Sequence, residues 1–327
     1  MALEKKPSKI AVLTSGGDAP GMNPCIRAVV RAGLAHGVRV IGVNNGYEGL
    51  MNGEFRELGA RDVGGILLRG GTILQTRRSL AFREPRGQRE AIRRMNEAGI
   101  EGLIVIGGDG SLTGALALHK QGVNVVGVPG SIDNDIWGTN MAIGVDTAMN
   151  TIMDAVDKLR DTASSHGRVF LVETMGRSSG YLAVMAGIVS GAEMVLIPER
   201  PSTIEEIAKA VENAYLRGKT HAFIINAEGS GHKTEDLAKA LEAMDVGFQT
   251  RVTILGHIQR GGSPTAYDRL LASRMGVKAV EALMTGKSGV MTGLQGRNIE
   301  YIPLEDVVAG KREVNMEYYE MVGLLAR

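Results

Sequence analysis

Residues 102–111 read GLIVIGGDGS: an unbroken apolar run, then glycines at 107, 108 and 110 around Asp109, then a serine. A short β-branched run with no polar alternation marks a strand buried on both faces, as in a parallel sheet covered by helices. The glycines stand where that strand hands over to a helix. The same handover follows KIAVLT (9–14), which leads into TSGGDAPGMN (14–23). Further apolar runs are VRVIGV (38–43), VNVVGVPG (123–130), RVFLVET (168–174), MVLIP (194–198), HAFIINA (221–227) and RVTILGH (251–257). Between them, 87–98, 112–120, 146–162, 203–217 and 264–284 carry helical spacing and frequent charges. The alternation predicts an α/β fold of two doubly wound sheets, with the active site in the cleft between two domains.

The chain has 327 residues, which suits about two domains. Lys+Arg 37 against Asp+Glu 36 leaves a net charge of +1, so neither nucleic acid nor a membrane surface is an expected partner. No stretch reaches 18 uninterrupted apolar residues, and the opening MALEKKPSKIAVL lacks the apolar region and cleavage site of a signal peptide. One cysteine, Cys25, excludes an internal disulfide framework and a multi-cysteine zinc site. A soluble cytoplasmic protein is expected. Glycine is the anomaly: 45 residues, about 14% of the chain against an ordinary 7% or so.

In open α/β sheets, ligands bind at the carboxyl ends of the strands, where these glycines lie. Glycine lets the backbone approach a phosphate, and the following helix N-terminus offers free N–H groups. An acid inside such a loop suits Mg²⁺ held between carboxylate and phosphate, which makes Asp109 the metal candidate. The competing reading is a plain turn closing a strand–helix corner. No GxxxxGK[ST] loop occurs, and no GxGxxG opens a βαβ unit with an acid some 20 residues on. In PGSIDNDIWGT (129–139), Asp133 and Asp135 flank Asn134, which suits one acid toward a metal and one accepting a hydroxyl proton. The alternative there is an Asx turn with solvated carboxylates. Arg168, Arg177, Arg251, His257 and Arg260 fall at the ends of expected strands. Arginine forks bind phosphate bidentately, so the set predicts a phosphorylated small substrate. His166 and His257 lack partners at metal-ligand spacing, and Cys25 reads as a packed thiol.

GGDAPGMN, GGDGS, PGSIDNDI, RDTASSH, MGRSSG and GHIQRGGSP, in this order and spacing, resemble the bacterial ATP-dependent 6-phosphofructokinases, phosphofructokinase A family. The resemblance runs from about residue 8 to about residue 290 and is weakest in the tail. It implies transfer of the ATP γ-phosphoryl group to the 1-hydroxyl of fructose 6-phosphate with Mg²⁺, the committed step of glycolysis. It assigns 1–144 plus 259–308 to an ATP-binding domain and 145–258 plus 309–327 to a fructose 6-phosphate domain. Gly17, Arg78, Ser79, Gly108, Asp109, Gly110 and Ser111 then hold ATP, and Asp109 binds Mg²⁺. Asp133 resembles the base, with Ser131, Asp135 and Arg177 catalytic beside it. Ser131 departs from the family's usual threonine but keeps a hydroxyl. The resemblance places Ser131, Ile132, Asp133, Met175, Gly176, Arg177, Glu228, His257, Ile258, Gln259 and Arg260 at the substrate. Arg168 and Arg251 match arginines that the family supplies from a neighbouring subunit of a homotetramer.

Arg27, Arg31, Arg160, Gly191, Glu193, Arg217, Lys219 and His221 match a family site where ADP activates and phosphoenolpyruvate inhibits. Ala60 and Gly65 stand where that site has an arginine and an acid, so a weaker or altered response is expected. The rival resemblance, to the pyrophosphate-dependent relatives, is disfavoured by Gly110 and Gly130, where those proteins carry larger residues. A nucleotide-sensing protein without catalysis has no use for Asp109, Asp133, Asp135 and the arginines together. An NAD-dependent dehydrogenase is excluded by the missing dinucleotide fingerprint.

Overall fold

The computed structural model describes residues 6–326. Met1–Lys5 and Arg327, which carry the start of the leader reading and the outer ends of the two expected domains, lie outside the described residues. In chain order the elements are β1 (Lys9–Ser15), α1 (Met22–Ala35), β2 (Arg39–Val43), α2 (Gly46–Asn52), β3 (Phe55–Glu57), α3 (Pro85–Glu97), β4 (Gly102–Gly107), α4 (Asp109–Lys120) and β5 (Val125–Pro129). They continue as α5 (Val145–His166), β6 (Arg168–Thr174), α6 (Tyr181–Ser190), β7 (Met194–Leu196), α7 (Ile204–Leu216), β8 (Ala222–Ala227), α8 (Thr234–Ala243) and β9 (Gln249–Ile254). Then follow α9 (Ala266–Met284), β10 (Val290–Gln295), β11 (Asn298–Pro303), α10 (Leu304–Ala309) and α11 (Met316–Leu325). Among the described residues no helix is long and apolar enough to cross a membrane.

Two compact units divide the chain. The first takes the chain through Ile132, then Ile136–Thr147 and Arg260–Lys311; the second takes Asp133–Asp135, Ala148–Gln259 and Arg312 onward. The first unit holds a seven-stranded sheet ordered β11-β10-β5-β4-β1-β2-β3, parallel except for its two edge strands. Both faces are covered, as the register shows. A Cβ built on Gly102 would meet Leu283 of α9, whereas one on Gly127 would meet Leu112 of α4 and Leu304 of α10. Gly127 pairs with Val105, and Val105 lies an odd number of residues from Gly102, so the two glycines face opposite sides of the sheet. Wholly buried β1 and β4 residues such as Val12 and Ile104 explain the unbroken apolar runs.

The second unit holds a four-stranded parallel sheet ordered β7-β8-β6-β9. Val169, Leu171 and Ile224 pack with Ile207, Val211, Leu237 and Leu241 of α7 and α8. The alternate residues Phe170 and Phe223 stack together at 5.9 Å on the other face.

Three details differ from the expectations. The helix expected at 112–120 starts at Asp109, so the acid occupies its first turn. The run 251–257 is not one strand: β9 ends at Ile254, and Gly256–Arg260 form a 3₁₀ turn. Strands β3, β10 and β11 were not anticipated, because their apolar residues are few and interrupted.

Candidate active site

In the first unit, Ser15, Gly107 and Pro129 stand side by side in register at the carboxyl ends of β1, β4 and β5. Three loops therefore leave the sheet at one level: 15–21, 107–111 and 129–135. Gly130 N–H donates to the Gly107 carbonyl at 3.0 Å, and Ser131 N–H to the Ile143 carbonyl at 3.2 Å, which fixes the third loop beside the second. The first loop is braced from within its unit. Arg260 Nη1 donates to the Asp18 carbonyl at 3.0 Å, and its guanidinium lies so close that a Cβ on Gly17 would be 2.6 Å from Nη1. A side chain at residue 17 would require the Arg260 guanidinium to move aside. Asn23 grips the segment before Arg78 and Ser79, donating to the Arg69 and Gly70 carbonyls at 3.1 Å and accepting from Ile73 N–H at 2.7 Å. Thr76 donates to the Gly16 carbonyl at 2.8 Å, so this segment and the first loop form one assembly. Arg78 is exposed and Ser79 half-buried.

Asp109 and Gly110 are exposed at the start of α4, Gly108 is half-buried and Ser111 is buried. Nothing lies within 4 Å of a Cβ built on Gly110. Among the described residues no three His, Cys, Asp or Glu side chains gather to hold a metal. A single exposed carboxylate at the start of a helix fits Mg²⁺, which takes its remaining ligands from phosphate oxygens and water and needs no protein cage. Cys25 is buried in α1, and burial pushes its thiol well above the usual range, as expected of a packed thiol.

In the second unit, Asp133 is 3% exposed at its side chain and sits 3.4 Å from Arg177 Nε. Arg177 has φ +52, a left-handed conformation that costs a non-glycine residue about 1–2 kcal/mol. Glu228 holds it there: one carboxylate oxygen accepts from Arg177 N–H at 2.7 Å and from Gly176 N–H at 3.1 Å. Met175 N–H donates to Gln259 Oε1 at 3.2 Å, and the buried Gln259 donates to the Gly256 carbonyl at 3.0 Å. The register sets Thr174 beside Ala227, and Glu173 beside Ile254, so Met175, Gly176, Arg177, Glu228, His257, Ile258 and Gln259 all follow the carboxyl ends of their strands. His257 and Ile258 are exposed. Ser131 and Ile132 belong to the first unit, and Ile132 is wholly buried.

Two expected arginines stand apart. Arg168 begins β6, and six residues at 3.3 Å each put it about 20 Å from Thr174. Its Nε is buried with no hydrogen-bond partner. Arg251 is in mid-strand, opposite Phe170, with Nη1 donating to the Thr250 carbonyl at 2.7 Å. Arg168 stands at a strand end as expected, the amino end of β6, whereas Arg251 does not, because β9 starts two residues before it.

A second cluster gathers at the amino end of β8. Arg217 and Lys219 bridge the nearly buried Glu193 at 3.1 and 2.6 Å, and both donate to the Ala326 carbonyl, at 3.1 and 3.0 Å. Arg160 donates to the Ser190 carbonyl and lies 5.2 Å over the Phe223 ring. Gly191 caps α6 with open space at its Cα. Burial, then Arg160 and Lys219, hold His221 below the usual histidine range, against the pull of Glu193. Arg27 and Arg31 belong to the first unit on α1.

The sequence reading missed Arg312, which donates to Asn134 Oδ1 at 3.0 Å. It lies in the tail, where no motif surrounds it.

Glycine loops aimed by parallel strands in one unit, and a buried acid paired with arginine in the other, define a class: α/β proteins built to handle phosphorylated small molecules. The family model for phosphofructokinase matches residues 9–283. The chain is 52% identical over 97% of its length to ATP-dependent 6-phosphofructokinase of Thermotoga neapolitana, covering 99% of that protein. It is 48% identical over 96% of its length to the protein of that name from Shouchella clausii, covering 98% of it. The phosphofructokinase structure from Pichia pastoris, in its T-state, superimposes with a TM-score of 0.89 at 39% identity. That match covers 94% of this chain, which spans about a third (36%) of the Pichia chain. The chain belongs to the phosphofructokinase family.

Proposed function

We propose that the chain transfers the γ-phosphoryl group of ATP to the 1-hydroxyl of fructose 6-phosphate, giving fructose 1,6-bisphosphate and ADP, the committed step of glycolysis in the cytoplasm. The observation that carries this reading is the buried Asp133 carboxylate 3.4 Å from the guanidinium of Arg177. Phosphoryl transfer needs positioning and charge neutralisation rather than a covalent intermediate. Asp133 accepts the proton of the 1-hydroxyl, Ser131 orients that hydroxyl, and Arg177 offsets charge on the transferring group. Gly17, Arg78, Ser79 and Gly108–Ser111 hold ATP in the ATP-binding domain, 1–144 plus 259–308. Asp109 would hold Mg²⁺, with Asp135 assisting, and the ion when bound would neutralise phosphate charge. Met175, Gly176, Glu228, His257, Ile258, Gln259 and Arg260 hold the sugar phosphate, most of them in the domain 145–258 plus 309–327. Arg168, about 20 Å along β6 from Thr174, serves a neighbouring subunit's site with Arg251 in a homotetramer. The 48–52% identity to proteins named for ATP, and the open space at Gly110, favour ATP over pyrophosphate.

Arg160, Gly191, Glu193, Arg217, Lys219 and His221, with Arg27 and Arg31, receive a phosphorylated effector such as ADP or phosphoenolpyruvate. A coupled assay with fructose 6-phosphate, ATP and Mg²⁺, repeated with pyrophosphate and with other sugar phosphates, tests the main reading. Turnover should require ATP and Mg²⁺; comparable turnover with pyrophosphate overturns the choice of donor.

A further inference from the structure

Asn134 separates the two aspartates of the reactive loop, and its φ of +51 decides where they point. In an extended segment, residues two apart project to the same side. A left-handed residue between them breaks that geometry and turns the carboxylates independently. Asn134 is 1% exposed, so whatever holds its carboxamide holds the turn. One donor that holds it is Arg312, whose Nη1 lies 3.0 Å from Asn134 Oδ1.

Arg312 also touches the other half of the acid–arginine pair. Its guanidinium lies 5.7 Å from the Tyr181 ring centroid, and Tyr181 opens α6 directly after the turn that carries Arg177. One planar cation therefore contacts both the loop of Asp133 and the element following Arg177, within one compact unit. A guanidinium can do this because it donates in its plane and stacks on its face. Burial lowers its proton affinity, while Tyr181 and Asp135 raise it.

We propose that Arg312 is a positioning residue for phosphoryl transfer: by clamping Asn134 and packing on Tyr181, it sets the separation of Asp133 and Arg177. This role gives the tail beyond residue 290 a part in the chemistry, and it rests on the activity proposed above.

Arg312→Ala should lower kcat about tenfold to a hundredfold, the scale expected of misplacing a reacting group by about 1 Å. KM for fructose 6-phosphate and for ATP should change less than threefold. Arg312→Lys keeps the charge but not the fork, and should recover only part of the loss. Guanidinium ion at tens of millimolar should raise the turnover of Arg312→Ala and leave wild type unchanged, a response that general destabilisation does not produce. The cycle with Asn134→Gly, which permits the same φ without the carboxamide, isolates the route. In that background, adding Arg312→Ala should cost at least threefold less than it does alone, the remainder being the Tyr181 contact. Additive losses, or a kcat for Arg312→Ala within twofold of wild type, overturn the proposal. Amide hydrogen exchange across 133–135 is read in parallel on wild type and Arg312→Ala. It should accelerate in the variant, and unchanged exchange overturns the clamp. Wild type without kinase activity refutes the proposed reaction and leaves the exchange result to judge the clamp alone.

Discussion

Asp133→Asn isolates the proton-accepting role, because the amide keeps the shape of the side chain and removes its charge. Loss of a positioned general base costs typically about 10² to 10⁴ in rate. That is roughly 2.7–5.4 kcal/mol in the barrier at 1.36 kcal/mol per tenfold. The effect on binding runs the other way. At the observed 3.4 Å, the attraction between Asp133 and Arg177 would be about 5 kcal/mol at an effective dielectric of about 20. Arg177 is 54% exposed, so solvent screening leaves about 1 kcal/mol or less. Removing the carboxylate therefore frees Arg177 for a phosphate by at most about fivefold. The expected signature is a kcat lowered at least about a hundredfold, with fructose 6-phosphate affinity unchanged or slightly tighter. Steady-state kinetics with the coupled assay and direct titration of the sugar phosphate measure both halves. A kcat within tenfold of wild type with weakened affinity would refute the reasoning and make Asp133 a binding residue.

Arg168→Ala and Arg251→Ala should each weaken fructose 6-phosphate by roughly 10 to 150-fold while sparing ATP, the cost of one charge-assisted bond. Mixing Arg168→Ala with Asp133→Ser protein should restore some activity after verified subunit exchange; none would contradict a site shared between subunits. Phosphoenolpyruvate should shift the fructose 6-phosphate saturation curve modestly and ADP should reverse it; no shift at millimolar effector would dismiss the Glu193 cluster as a regulatory site. His221 titrates below its unfolded value, so between its folded value and about 6.5 the unfolded chain binds the extra proton. Wild type should therefore lose stability as pH falls below about 6.5, and His221→Gln should lose less, as thermal melts across pH 5–8 would record. Equal pH slopes in the two proteins would remove His221 from the account.

Much of the candidate site was legible because its signals are local. The loops at 107–111 and 129–135 announce themselves by glycine following an apolar run, and Asp109 and Asp133 follow from their place in those loops. Cys25 needed only the absence of partners. The edge strands β3 and β11 were not legible, since a strand paired on one side needs no continuous apolar run. Arg251 was misplaced for a related reason: polar Gln249 and Thr250 hid the true start of β9.

By itself the sequence determined the α/β class, the two sheets, the glycine loops and the residue types available for phosphate chemistry. Each of these depends on short-range periodicity and on backbone freedom at single positions. Only the tertiary structure decided which of those residues meet. The register that sets Ser15, Gly107 and Pro129 level is one such decision, and the 20 Å of strand between Arg168 and Thr174 is another. The bond from Arg312 to Asn134 spans 178 positions of chain, and no local pattern encodes a contact of that length. Such contacts follow from how strands pair and helices pack, which is a property of the whole core rather than of any segment.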